Sequence, residues 1–147
     1  MKKVIFVLLM TAVLGITASA QKVKSNFAAL PAGIAEWTED DADKLISDPA
    51  IDARLKKLLG AKSYAALKES FETMTPIVKD GKVLFVSGCL IHACTHAESA
   101  VAIDTANNTI HAAIFRDEKK TVYFNERRSK TPAAISGWAR NLTSRKK

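Results

Sequence analysis

Apolar positions along the chain follow two regimes, and the change comes near Met74. Before it they recur at helical spacing. Thr38 suits a helix N-cap, and Glu39, Asp40 and Asp41 fill a first turn where the helix dipole favours acids. Ala42, Leu45 and Ile46 then form a short apolar stripe. Asp48-Pro49 restarts the chain, since Asp caps well and Pro suits the first helical position. Ile51, Leu55 and Leu58 follow, and Gly60 is a natural stop. Ser63 is placed to cap a third helix, with Tyr64, Leu67 and Phe71 on one face. Such stripes predict core packing rather than cofactor contacts.

After Met74 the pattern turns β-like. Residues 75–79 lead into Asp80-Gly81, a hairpin signal. Residues 82–87 read as a strand, and 82–86 are nearly all apolar, as in a strand covered on both faces. Residues 99–104 are β-like again, and Ala106-Asn107-Asn108 predicts a turn because Asn tolerates positive φ. Residues 109–116 alternate. Ile110, Ala112 and Ile114 share one face, and His111, Ala113 and Phe115 share the other. His111 therefore reads as a structural histidine. Residues 117–120 turn the chain into a last strand over 121–125, with Val122 and Phe124 together.

Thr131-Pro132 opens a final helix, with Ile135, Trp138 and Leu142 as its stripe; residues 144–147 form a basic tail. Helices first and consecutive short strands afterwards predict an α+β fold. The expected architecture is an antiparallel β-meander of about five strands packed by helices, with a disulfide-closed loop between two strands.

The N-terminus changes the compartment. Lys2 and Lys3 precede an apolar run over residues 4–15, and Ala18-Ser19-Ala20 has the small residues of a cleavage site. Residues 1–20 read as a signal peptide, and 21–147 as a single mature domain, periplasmic or secreted. Removing 20 of the 147 residues leaves 127, enough for a modest core. Loss of the two leader lysines takes the net charge from +7 to +5. Export argues against a nucleic-acid partner, and no second segment is long and apolar enough to span a membrane once the leader is cleaved. A basic surface suits anionic envelope polymer or simple solvation.

The chemistry concentrates in Cys89-Leu90-Ile91-His92-Ala93-Cys94, which holds both cysteines of the chain. Four readings apply. Zinc is open on residue type, with His96 as a further ligand, but the spacing matches no standard finger. A thiol-disulfide catalyst wants two residues between its cysteines, and here there are four. A cysteine nucleophile with His92 needs a free thiol, which export disfavours. A disulfide suits an exported chain, and it would fix the loop's shape. Leu90 and Ile91 beside a surface histidine should seek cover from the protein's own core, a second protomer or a partner; a homodimer therefore stays open. His96 is a second loop contact or a solvated residue. No carboxylate pair, serine-centred motif or glycine-rich phosphate loop points to catalysis, so neither an enzyme nor a cofactor is expected.

The leader, the helices, the strand ending in Val86-Ser87-Gly88, the Cys89-x-x-His92-x-Cys94 motif and the following Ala100-Val101-Ala102-Ile103 together resemble the Ivy family, periplasmic inhibitors of vertebrate lysozyme. The comparable region runs over residues 55–125. The resemblance implies a Cys89–Cys94 disulfide, a loop that plugs the cleft of a c-type lysozyme or related muramidase, and His92 as the key inhibitory residue. The best-known family loop carries Lys and Pro before the histidine and Asp after it; here those positions are Leu90, Ile91 and Ala93. The expected function is inhibition of a peptidoglycan-cleaving glycosidase. The alternative is a non-inhibitory envelope-binding protein that uses its basic surface.

Overall fold

The computed structural model describes residues 27–94, 96–116 and 120–144. The expected leader at 1–20, the start of the irregular lead-in expected over residues 21–37 around the break at Leu30-Pro31-Ala32-Gly33, the turn at 117–119 and the end of the basic tail lie outside the described residues. Element order is α1 (Ala42–Ser47), α2 (Pro49–Ser70), β1 (Thr73–Met74), β2 (Val78–Asp80), β3 (Val83–Cys89), β4 (Ala97–Asp104), β5 (Thr109–Arg116), β6 (Val122–Asn125) and α3 (Ala133–Ser144). Short 3-10 turns at Ile34–Glu36, Glu39–Asp41 and Glu126–Arg128 complete it.

Local chemistry sets the helix starts. The Thr38 amide donates to Asp41 Oδ2 at 2.7 Å, and the Asp41 amide returns a bond to the Thr38 carbonyl at 3.1 Å. Asp48 Oδ1 accepts from the amides of Ala50 and Ile51, with Pro49 at the first helical position. Gly60 breaks helical geometry at φ 70 and ψ 169, but the chain stays within α2. Gly60 thus ends the first helical segment, as expected, and the break shows as a kink between two segments. Helical geometry resumes at once, so Ser63 lies inside the second segment rather than capping it. Below the kink, the Tyr64 hydroxyl donates to the Asp52 carboxylate. Burial and that carboxylate push the Tyr64 hydroxyl up to about 12.

The sheet is antiparallel, in the order β1-β3-β4-β5-β6, and β2 also pairs with β3. Six strands stand where about five were expected, because the segment before the hairpin is split. Thr73 and Met74 pair with the end of β3, and residues 78–80 pair with its start. Pro76 falls between them and has no N–H for a ladder. The neighbouring Ile77 amide goes instead to the Glu39 carbonyl at 3.2 Å.

One sheet face carries Leu84, Val86, Val101, Ile103, Ile110 and Ala112 against α1 and α2, where Leu45, Ile51, Leu55 and Leu67 are buried. The other face is shallower. Ala100, Ala102 and Ala113 are small enough to let α3 approach, and Ile135 fills the space between. β4 and β5 are therefore buried on both sides, whereas β3, expected to be covered on both faces, keeps one face only half-buried.

A charged pair sits inside the main core. Arg54 in α2 meets Glu126, with Nε–Oε1 at 3.0 Å and Nη2–Oε2 at 2.5 Å. The remaining Arg54 donors reach the Ala28 carbonyl, the Asn108 side chain and the Asn108 carbonyl. All five guanidinium donors are used, and Glu126 Oε2 also accepts from the Ile110 amide at 2.8 Å.

Candidate functional site

β3 and β4 pair from Val83↔Asp104 to Cys89↔Glu98, and the loop between them spans residues 90–96. The Leu90 amide closes its base on the Ala97 carbonyl at 3.0 Å. Cys89 and Cys94 form a disulfide with Cα atoms 4.7 Å apart. Both sulfurs are thus committed, which removes Cys89 and Cys94 as thiolate ligands or nucleophiles in this state.

Within the ring, the Ala93 amide donates to the Leu90 carbonyl at 2.8 Å, so residues 90–93 make a tight turn. His92 is its third residue, with φ 63. A type II turn needs positive φ there and usually places Gly or Asn. Histidine is among the few other residues that visit this region with some frequency. The Ala97 and His96 amides both donate to the Ala93 carbonyl, at 2.8 and 2.9 Å, and fold the return limb back on the turn.

The result is a small knob at one end of the sheet. Ile91 is 50% exposed, and His92 and His96 are exposed, while Leu90 and Ala93 are half-buried. The apolar pair divides: Leu90 finds partial cover on the protein, and Ile91 stays in solvent. His111 is elsewhere and serves the fold. It is 2% exposed in β5, with Nδ1 2.8 Å from Asn125 Oδ1 and Nε2 3.1 Å from Thr109 Oγ1.

Gly88 is a determinant of loop placement that sequence reading missed. A Cβ there would lie 2.7 Å from the Ser70 carbonyl oxygen and 2.8 Å from that of Thr73. The strand end that carries Cys89 can pack against the end of α2 only because residue 88 has no side chain. The signal available in the sequence was a glycine inside an otherwise apolar strand.

Residues 50–145 match the family described as inhibitor of vertebrate lysozyme (Ivy). The chain belongs to the Ivy family. That family is one of inhibitors rather than enzymes, so lysozyme inhibition is the function that membership implies. The Ivy match covers α2, the whole sheet, the closed loop and α3. No curated relative and no solved structure matches the chain significantly. Among the described residues no helix of this Ivy protein is long and apolar enough to cross a membrane.

Proposed function

We propose that the protein is an exported inhibitor that plugs the active-site cleft of a c-type lysozyme or related muramidase with the Cys89–Cys94 loop, and that His92 is the side chain delivered to the catalytic centre. The observation that supports this most is the exposure of His92 at the tip of a turn closed by a disulfide. Such enzymes cleave peptidoglycan with a carboxylate pair. An imidazole placed among carboxylates donates charge-assisted hydrogen bonds. A loop already closed loses little conformational freedom when it binds. Ile91 adds an apolar contact beside the histidine, where the family's best-known loop has proline.

The leader expected at residues 1–20 would deliver the domain at 21–147 to the compartment where peptidoglycan enzymes work. Long-range charge works against the encounter if the target is a basic lysozyme, because the mature chain carries +5. Association should then speed up as salt screens the repulsion.

The test is stoichiometric titration of a c-type lysozyme on both a soluble oligosaccharide and insoluble cell wall. A cleft inhibitor slows both to the same extent. A protein that coats the wall through its basic surface protects only the insoluble substrate and sediments with purified peptidoglycan, and that outcome would replace the plug reading with the envelope-binding one.

A further inference from the structure

The two sides of the sheet end differently. At the β1/β2 side the edge is broken by Pro76 and carries Lys79 and Asp80, the usual protection against unwanted strand pairing. The β6 side lacks this protection. Val122, Tyr123, Phe124 and Asn125 contain neither charge nor proline, and among the described residues β6 pairs only with β5. Among the described residues no loop backbone reaches its outer edge. Val122 is 53% and Tyr123 44% exposed.

Each face of this edge opens into a groove. On the α2 side a groove of about 270 Å³ is lined by Ile114, Val122 and Phe124, with Lys62 and Arg116 among its walls. On the α3 side one of about 290 Å³ is lined by Tyr123 and Ala139, with Lys120 and Arg140. Both grooves therefore combine an apolar floor with two cations. Arg116 holds Glu69 through Nη2 at 2.6 Å, while its Nε is buried and has no hydrogen-bond partner among the described residues.

We infer that the outer edge of β6 is a docking site for an extended acidic segment of a partner protein, which adds a seventh strand to the sheet. Backbone bonding to β6 would supply affinity. Side chains of an added strand alternate between faces, so acids on either face would fall beside one of the two cation pairs. A second copy of this chain fits poorly, because pairing β6 with itself brings the same cations together. This site is separate from the Cys89–Cys94 loop and does not depend on its function.

The probe is a synthetic peptide of repeating Val-Val-Glu-Glu, titrated into the full mature chain and followed by amide chemical shifts and calorimetry. Binding should move the amides of residues 121–125. N-methylation of alternate peptide nitrogens, which leaves the charge intact, should weaken binding about tenfold or more through the loss of two or three backbone hydrogen bonds. A Val-Val-Lys-Lys peptide should not bind. Lys62→Glu with Arg140→Glu, both at exposed positions, should weaken the acidic peptide by about tenfold with an unchanged melting curve. Equal binding of the N-methylated peptide, equal binding of the lysine peptide, shifts confined to other residues, or self-association of the chain through β6 in the absence of peptide would each overturn the proposal.

Discussion

Arg54 and Glu126 are 72 positions apart in sequence and meet as a two-pronged pair with 2% and 0% of their side chains exposed. The pair ties α2 to the turn after β6, and through Asn108 and Ala28 it also holds the β4–β5 turn and the lead-in. A buried pair of this kind is most sensitive to losing one member. Glu126→Gln should cost about 3–5 kcal/mol, because it strands a guanidinium charge in the core. The midpoint and slope of a urea unfolding curve measure it. A loss below 1 kcal/mol would mean that water reaches the pair.

Glycines at 88 and 137 should respond in opposite directions. Gly88→Ala places a methyl group against two backbone carbonyls and should destabilise by about 1–3 kcal/mol. Gly137 lies within α3, where the nearest atom to an added Cβ is a flexible Arg140 nitrogen at 3.8 Å. Gly137→Ala should stabilise by about 0.5–1 kcal/mol through helix propensity alone. Paired thermal melts of the two variants are a direct check. Only Gly88→Ala should also perturb the amide signals of residues 89–97.

Reduction of the Cys89–Cys94 disulfide should have a small effect on stability, about 2 kcal/mol by loop entropy for so short a ring. Its effect on inhibition should be larger in proportion, since the turn would lose its closure. Comparing oxidised protein with a Cys89→Ser, Cys94→Ser variant in unfolding and in lysozyme titrations separates the two. Inhibition that falls only as far as stability does would make the bridge a staple and nothing more.

His92 should separate function from fold. His92→Ala should weaken inhibition by about 2 kcal/mol or more, roughly thirtyfold, if it is a central contact, and should leave the melting temperature nearly unchanged. His92→Gly should weaken inhibition as much while relieving the positive φ, so that stability holds or rises. His111→Ala should do the reverse, losing stability first. Intact inhibition in both His92 variants would take the residue out of the mechanism.

At the alkaline end, stability should depend on Tyr64. Its folded hydroxyl titrates near 12, above the ordinary value of 10. The folded state therefore holds the proton more tightly than the unfolded state does. Its contribution is complete below about pH 10 and is lost as the pH rises toward 12. Tyr64→Phe should flatten that limb of the stability curve. At the acid end the signs reverse. Burial raises the Asp52 and Asp104 carboxyls, but hydrogen bonds from Lys56 and Tyr64, and from Asn107 and Ala106, outweigh it and hold both below the usual range. Their contribution is present above about pH 4 and fades as pH falls further. Stability measured against pH on the wild type and Tyr64→Phe decides the point.

Features set by neighbours in sequence were legible in advance. Thr38 with Asp41, Asp48 with Pro49, the Asp80-Gly81 hairpin and the turn at Asn108 all act over three or four residues. The cysteine pair was legible because exported chains favour oxidation. What escaped depends on distant partners. Nothing near Arg54 in sequence announces Glu126. Gly60 ends one helical segment as its sequence position predicts, but the next segment starts at once rather than at a Ser63 cap, with Leu67 and Phe71 packing on the same core. Pro76 carried the information that splits β1 from β2, but only a paired β3 turns that into two strands. The positive φ of His92 follows from closing a turn inside a ring, and no residue in the motif declares it.

The base of the Cys89–Cys94 loop carries consequences for how such a protein can change over time. The ring is held by its disulfide, by the Leu90–Ala97 backbone bond and by the seating of Gly88, none of which involves the side chains of Ile91 or His92. The side chains at those two tip positions make none of the contacts that close the ring, although position 92 must still accept a positive φ. Under the proposed plug reading, substitutions there would change the contacts with the target while the scaffold stays as it is, so the tip is where members that share this frame should diverge first when the target changes.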